Sequence, residues 1–119
     1  MLSERAAGWF ADIVKAATLI ETWLSEAGSV ATLMADEKAR SAVERQLLII
    51  SEAEIRLWNA GPDTQALLPQ EIDWAGVRGM GNVIRHRYDD MDFDVVADVL
   101  ASKLGVLKTA CERVLRQPS

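Results

Sequence analysis

One short stretch gathers a set of side chains that could do chemistry together. Between Trp74 and Tyr88 lie Arg78, Arg85 and Arg87, the single histidine His86 and the single tyrosine Tyr88, with no acidic residue among them. Arg78, Asn82 and His86 are spaced i, i+4 and i+8, and Arg85 follows Asn82 by three. At 100° per residue these four fall within an arc of roughly 100°, one face of a helix. Such a face suits a phosphate: arginine neutralises and forks onto the oxygens, asparagine positions, and histidine moves a proton near neutral pH. Arg78, Asn82, Arg85 and His86 are therefore the candidate catalytic residues. The competing reading is a solvated helix face with a structural histidine.

Charge distribution sharpens this. The net charge is −5, with 13 basic and 18 acidic residues, which argues against a general nucleic-acid binder held by many phosphate contacts. Acid flanks the basic stretch at Asp73 on one side and at Asp89, Asp90, Asp92 and Asp94 on the other. A local basic site on an acidic body fits a small anionic ligand or one defined phosphate. The lone Cys111 excludes an internal disulfide and a Cys-rich zinc site, and one histidine cannot build a multi-His centre within one chain. No metal and no cofactor are expected. The aspartates from Asp90 to Asp94 resemble the start of a calcium loop, but Val95 stands where its turn glycine belongs and Ala101 where its bidentate glutamate belongs. They are expected instead to cap the helix that follows.

The elements that must position this face are helices. The chain has 119 residues, half of them hydrophobic, with seven glycines and three prolines, the profile of one globular domain spanning 1–119. No apolar run reaches the ~18 residues needed to cross a membrane, and no secretory signal opens the chain, so a soluble, cytoplasmic protein is expected. Ser3-Glu4 opens a first helix with Phe10, Ile13, Ala17, Ile20 and Leu24 on one stripe, widened by Trp9, Ala16 and Trp23, and Gly28 marks its exit. Ser29 to Ala35 connects it, with a helical turn, to a second helix capped by Asp36. That helix presents Val43, Leu47, Ile50, Leu57 and Trp58 before Gly61-Pro62 stops it.

A loop is expected from Gly61 to Glu71, and a third helix from about Asp73 to Tyr88. A fourth starts near Asp92 with Val96, Leu100, Leu104, Leu107, Cys111 and Val114 facing inward. The tryptophans read as core. The fold class is all-α: an antiparallel up-and-down four-helix bundle with a short extra helical turn. The third helix carries Gly76, Gly79 and Gly81, each costing about 1 kcal/mol against alanine. Something must approach its backbone closely: a neighbouring helix, a ligand or a second subunit.

Two stretches resemble a known family. Ala42 to Ala53 looks like its second helix. Ile72 to Tyr88 looks like its signature helix, with Trp74, Gly79-Met80, Asn82 and His86-Arg87-Tyr88 arriving in order. The resemblance is to the HepT-like proteins of the HEPN superfamily and covers nearly the whole chain. It implies a helical HEPN bundle that forms a homodimer, with signature helices of two subunits lining a shared cleft. It implies a metal-independent RNase toxin of a two-component toxin–antitoxin module, acting on tRNA or mRNA. The implied partner is a MntA-like minimal nucleotidyltransferase antitoxin that silences the toxin by adding AMP to Tyr88. His86 matches the catalytic histidine and Asn82 the motif asparagine. The family's catalytic arginine falls on Gly81 here, so either Arg85 or Arg78 replaces it, or the nuclease is weakened. Helical side chains lean toward the N-terminus, which would carry Arg85 over the turn containing Gly81.

The chemistry expected is attack by the RNA's own 2′-hydroxyl, with His86 moving the proton and arginine stabilising the phosphorane-like transition state. One histidine is too few for a separate acid and base, and a two-fold dimer supplies two. The rival is a non-catalytic HEPN module whose Arg78/Asn82/Arg85/His86 face docks a nucleotide or a nucleotidyltransferase.

Overall fold

The computed structural model describes residues 2–86 and 91–117. Ser3 caps the first helix, accepting from the Ala6 N–H at 3.1 Å, and α1 runs from Glu4–Ala27. It ends where Gly28 turns left-handed at φ 89° and donates its N–H to the Leu24 carbonyl, a conformation that glycine enters without a Cβ penalty. The connector folds as α2 (Val30–Ala35), burying Leu33 and Met34. Asp36 caps α3 (Glu37–Asn59), accepting from the Ala39 N–H at 3.1 Å.

Beyond Gly61 the structure departs from the expected loop. Pro62–Gln65 forms a four-residue helix, α4, with proline at its first turn, where its fixed φ and missing N–H cost nothing. The Gln65 amide returns to donate to the Trp58 carbonyl at 2.8 Å, satisfying the open end of α3.

Asp73 caps α5 (Trp74–Arg85), and the Trp74 indole N–H donates to the Pro69 carbonyl at 2.8 Å, pinning the start of this helix to the preceding loop. The helix stops at Arg85 with His86 as its C-cap, short of the expected Tyr88, which with Arg87, Asp89 and Asp90 lies outside the described residues.

The last helix, expected to be continuous, is divided. Met91–Asp98 is α6, Val99–Lys103 forms a π-helical turn, and Leu104–Arg116 is α7. The inward residues explain the insertion. Val96, Leu100 and Leu104 are spaced by fours, which in a regular α-helix drifts about 40° per step. A wider π turn takes up the surplus, so all three, and then Leu107, Cys111 and Val114, stay buried.

Helix α1 packs against α3 and α7, α3 packs against α5, and α5 packs against α6, so the helices surround one core. Phe10, Ile13, Ile20, Met34, Leu47, Ile50, Leu57 and Leu104 are its largest sealed apolar side chains. The described residues are all-helical, with no strand among them. Among them, no helix is long and apolar enough to cross a membrane. The tryptophans are corrected in part: Trp74 is buried and Trp9 and Trp23 half-buried, but Trp58 is 39% exposed. At the end of α3, Trp58 sits on the flank of the apolar stripe, one residue past the sealed Leu57.

Candidate functional site

The candidate face is carried by α5 and held by α3. Trp58 and Glu54 meet Arg78, while Ser51 and Glu52 meet Gly81 and Arg85, so the two helices run in opposite directions. Where the two helices meet, a Cβ on Gly81 would overlap the Ser51 hydroxyl and lie 2.7 Å from Ser51 Cβ. Gly81 is therefore explained by a neighbouring helix. The Ser51 hydroxyl is sealed there with no hydrogen-bond partner among the described residues.

The other two glycines have different reasons. A Cβ on Gly76 would lie 2.6 Å from an Asp73 carboxylate oxygen, so this position is kept bare by the helix cap itself. Nothing lies within 4 Å of a Cβ placed on Gly79, which faces open space. Gly79 precedes Asn82 by three and His86 by seven, on the same side of the helix.

Arg78 and Arg85 are placed very differently. Arg78 Nε is 3.0 Å from Glu54 Oε1, and its guanidinium carbon lies 4.8 Å from the centre of the Trp58 ring. Glu54 is fully buried, and burial lifts its carboxyl above the ordinary value, with Arg78 opposing that shift more weakly. The ion pair lacks hydrogen-bond alignment, so both Glu54 oxygens are without a hydrogen-bond partner among the described residues. Arg78 is thus committed to a buried counter-charge.

Arg85 is more open. Its Nη1 donates to Asn82 Oδ1 at a long 3.4 Å, and its Nη2 is 4.0 Å from Glu52. The same Nη1 stands 3.2 Å from where a Cβ on Gly81 would be, so the Arg85 head lies over the turn containing Gly81, as its lean toward the helix N-terminus requires. His86 is exposed, one residue beyond, and donates its backbone N–H to the Asn82 carbonyl at 3.1 Å. Asn82, Arg85 and His86 form one exposed group at the end of α5, with Arg78 two turns away. Tyr88 lies outside the described residues.

On the opposite side of α5, Val77, Met80 and Val83 line a cavity of about 480 Å³ with Val95, Val99 and Leu107, and Glu71, Asp73, Asp98, Ser102 and Lys103 also border it. Among the described residues no three His, Cys, Asp or Glu side chains converge as a metal set. Sequence reasoning missed Ser51, Glu54 and Glu52, three polar residues on α3. Ser51 and Trp58 are seven apart on one flank of that helix, and this was the signal available.

No curated protein and no solved structure matches the chain. A protein-family model described as ribonuclease HepT-like matches residues 13–114, a span that includes all of α3 and α5 and every side chain of the site just described. The chain belongs to the HepT-like family.

Proposed function

We propose that this protein is a metal-independent endoribonuclease, the toxin of a two-component toxin–antitoxin module in the cytoplasm, working as a homodimer on tRNA or mRNA. The observation that carries the reading is Arg85. Its guanidinium stands over Gly81, where the family's catalytic arginine is missing, and beside Asn82 and His86. Arg85 is favoured over Arg78 because Arg78 is neutralised by a buried carboxylate.

In this mechanism the RNA 2′-oxygen attacks the adjacent phosphorus and the bond to the 5′-oxygen breaks. One His86 imidazole accepts the 2′-hydroxyl proton, and the protonated His86 of the second subunit gives one to the leaving 5′-oxygen. Products are a 2′,3′-cyclic phosphate and a 5′-hydroxyl. Arg85 would stabilise the charge that develops on the phosphoryl oxygens, and Asn82 would hold Arg85 in place. Gly79, bare and facing open space, supports close approach of a second subunit or of RNA.

An antitoxin of the nucleotidyltransferase kind would silence this site by adding AMP to Tyr88. That places negative charge and bulk two residues from His86, against the substrate phosphate.

The test is RNA cleavage in EDTA by partner-free protein whose Tyr88 is shown unmodified by mass spectrometry. Cleavage of total tRNA or a mixed RNA pool that is lost in His86→Ala supports the nuclease. No cleavage by the unmodified wild type favours the rival, a catalytically weakened module that binds a nucleotide or the nucleotidyltransferase.

A further inference from the structure

Trp58 departs from what its position on an apolar stripe predicts. It is one of two large hydrophobic residues exposed among the described residues, the other being Val106 on α7. A guanidinium is stacked against it at 4.8 Å, and that guanidinium is held in turn by a carboxylate sealed from solvent. Planar arginine orients well in such a chain of contacts, whereas lysine would have no plane to present. The arrangement amounts to a polar-backed aromatic platform, two helical turns from Arg85 on the same side of α5, about 10.5 Å along the axis.

We propose that Trp58 and Arg78 form a nucleobase-stacking subsite for the single-stranded RNA substrate, binding a nucleotide that neighbours the one whose phosphate lies against Arg85. The inference rests on the ribonuclease reading above. Its chemistry follows from charge. Arg78 is already neutralised by Glu54, so it offers a phosphate little net attraction, but its plane and the Trp58 ring both favour the π-face of a base. Arg85, with Glu52 only at 4.0 Å, keeps its charge for a phosphate. One face thus divides into a neutral stacking end and a cationic phosphate end.

The two ends respond differently to salt, and this tests the inference. The probe is a fluorescein-labelled 2′-O-methyl RNA twelve-mer of mixed sequence, which lacks the attacking hydroxyl, titrated against the full chain at several salt concentrations. Trp58→Ala is expected to weaken binding roughly 5- to 150-fold with an unchanged salt slope. Trp58→Phe should retain most of the affinity, and Arg78→Lys, which keeps the charge but loses the plane, should weaken binding as Trp58→Ala does. Arg85→Ala should instead lower the slope by about 0.7. Wild-type binding that Trp58→Ala leaves unchanged, or a Trp58→Ala slope reduced like that of Arg85→Ala, overturns the subsite and leaves the nuclease standing. Wild type that neither binds this probe nor cleaves RNA overturns the ribonuclease reading and the subsite with it.

Discussion

Ser51 on α3 and Gly81 on α5 meet so closely that a Cβ on Gly81 would lie 2.7 Å from the Ser51 Cβ. This contact leaves no room for an arginine side chain at position 81. A side chain there would have to begin inside Ser51.

Gly81→Ala is therefore expected to destabilise by about 1–3 kcal/mol through overpacking. Because the clash is with a side chain, Ser51→Gly should recover part of that loss in the double variant, a coupling readable by urea melts. Gly81→Arg, which introduces the residue type that the resemblance implies at this position, should lower stability at least as much. It is expected not to raise RNA cleavage. Additive effects of Gly81→Ala and Ser51→Gly would show that the two do not limit each other.

Gly79 should behave in the opposite way. With open space around its missing Cβ, Gly79→Ala is expected to stabilise the helix by up to about 1 kcal/mol. Under the dimeric nuclease reading it should also slow RNA cleavage by obstructing close approach to α5. Gly8 on α1 likewise has nothing within 4 Å of where its Cβ would stand, so Gly8→Ala should raise the melting temperature and leave cleavage unchanged. Thermal melts and cleavage rates on the pair separate the two effects.

His86→Ala is expected to lower kcat by roughly 10²- to 10⁴-fold, the range for loss of a general acid–base. Arg85→Ala should cost about 10²- to 10³-fold, as loss of a transition-state donor does. Arg78→Lys, by contrast, should raise KM with little change in kcat. Steady-state cleavage of one RNA by the three variants checks this, and a kcat loss in Arg78→Lys equal to that in Arg85→Ala would contradict the division between the arginines.

Glu54 supplies a pH signature. Burial holds its carboxyl above the ordinary value, so the folded state binds its proton more tightly than the unfolded chain does. The associated stability is present in full below the ordinary carboxylate value and is lost as pH rises through the raised one. Glu54→Gln removes the group without removing its volume. The difference in unfolding free energy between Glu54→Gln and wild type should therefore grow in favour of Glu54→Gln as pH rises across that window. A difference independent of pH would refute the assignment.

Cys111 should be chemically silent while the protein is folded. It is fully buried, and burial pushes its thiol up to about 12. At pH 8 that leaves roughly one thiolate in 10⁴. Reaction with a disulfide reagent is expected only in denaturant or at the rate of global unfolding. Stoichiometric labelling of the native protein within seconds would show that the core is open.

Much of this was legible from residue types. Ser3, Asp36 and Asp73 were readable as caps because a short oxygen-bearing side chain before an apolar-periodic run satisfies the orphan N–H groups of a helix. The six inward residues of the last helix were legible from spacing, although the π turn that keeps Val96, Leu100 and Leu104 in line was not. The nearness of Arg85 to Gly81 was legible too, since it depends only on the lean of a side chain along its own helix. Helix α4 was hidden because four residues are too few for a periodic signal.

By itself the amino-acid sequence determined the caps of α1, α3 and α5, the buried stripes and the grouping of Asn82, Arg85 and His86, because each depends on local geometry within one element. Only the tertiary structure decided the fates of Arg78, Gly81 and Trp58. Glu54, Ser51 and Trp58 come from another helix, at sequence distances that no periodicity links to α5. Which arginine is neutralised, which glycine is crowded and which tryptophan stays in water depend on where α3 lies against α5, a matter of packing between elements.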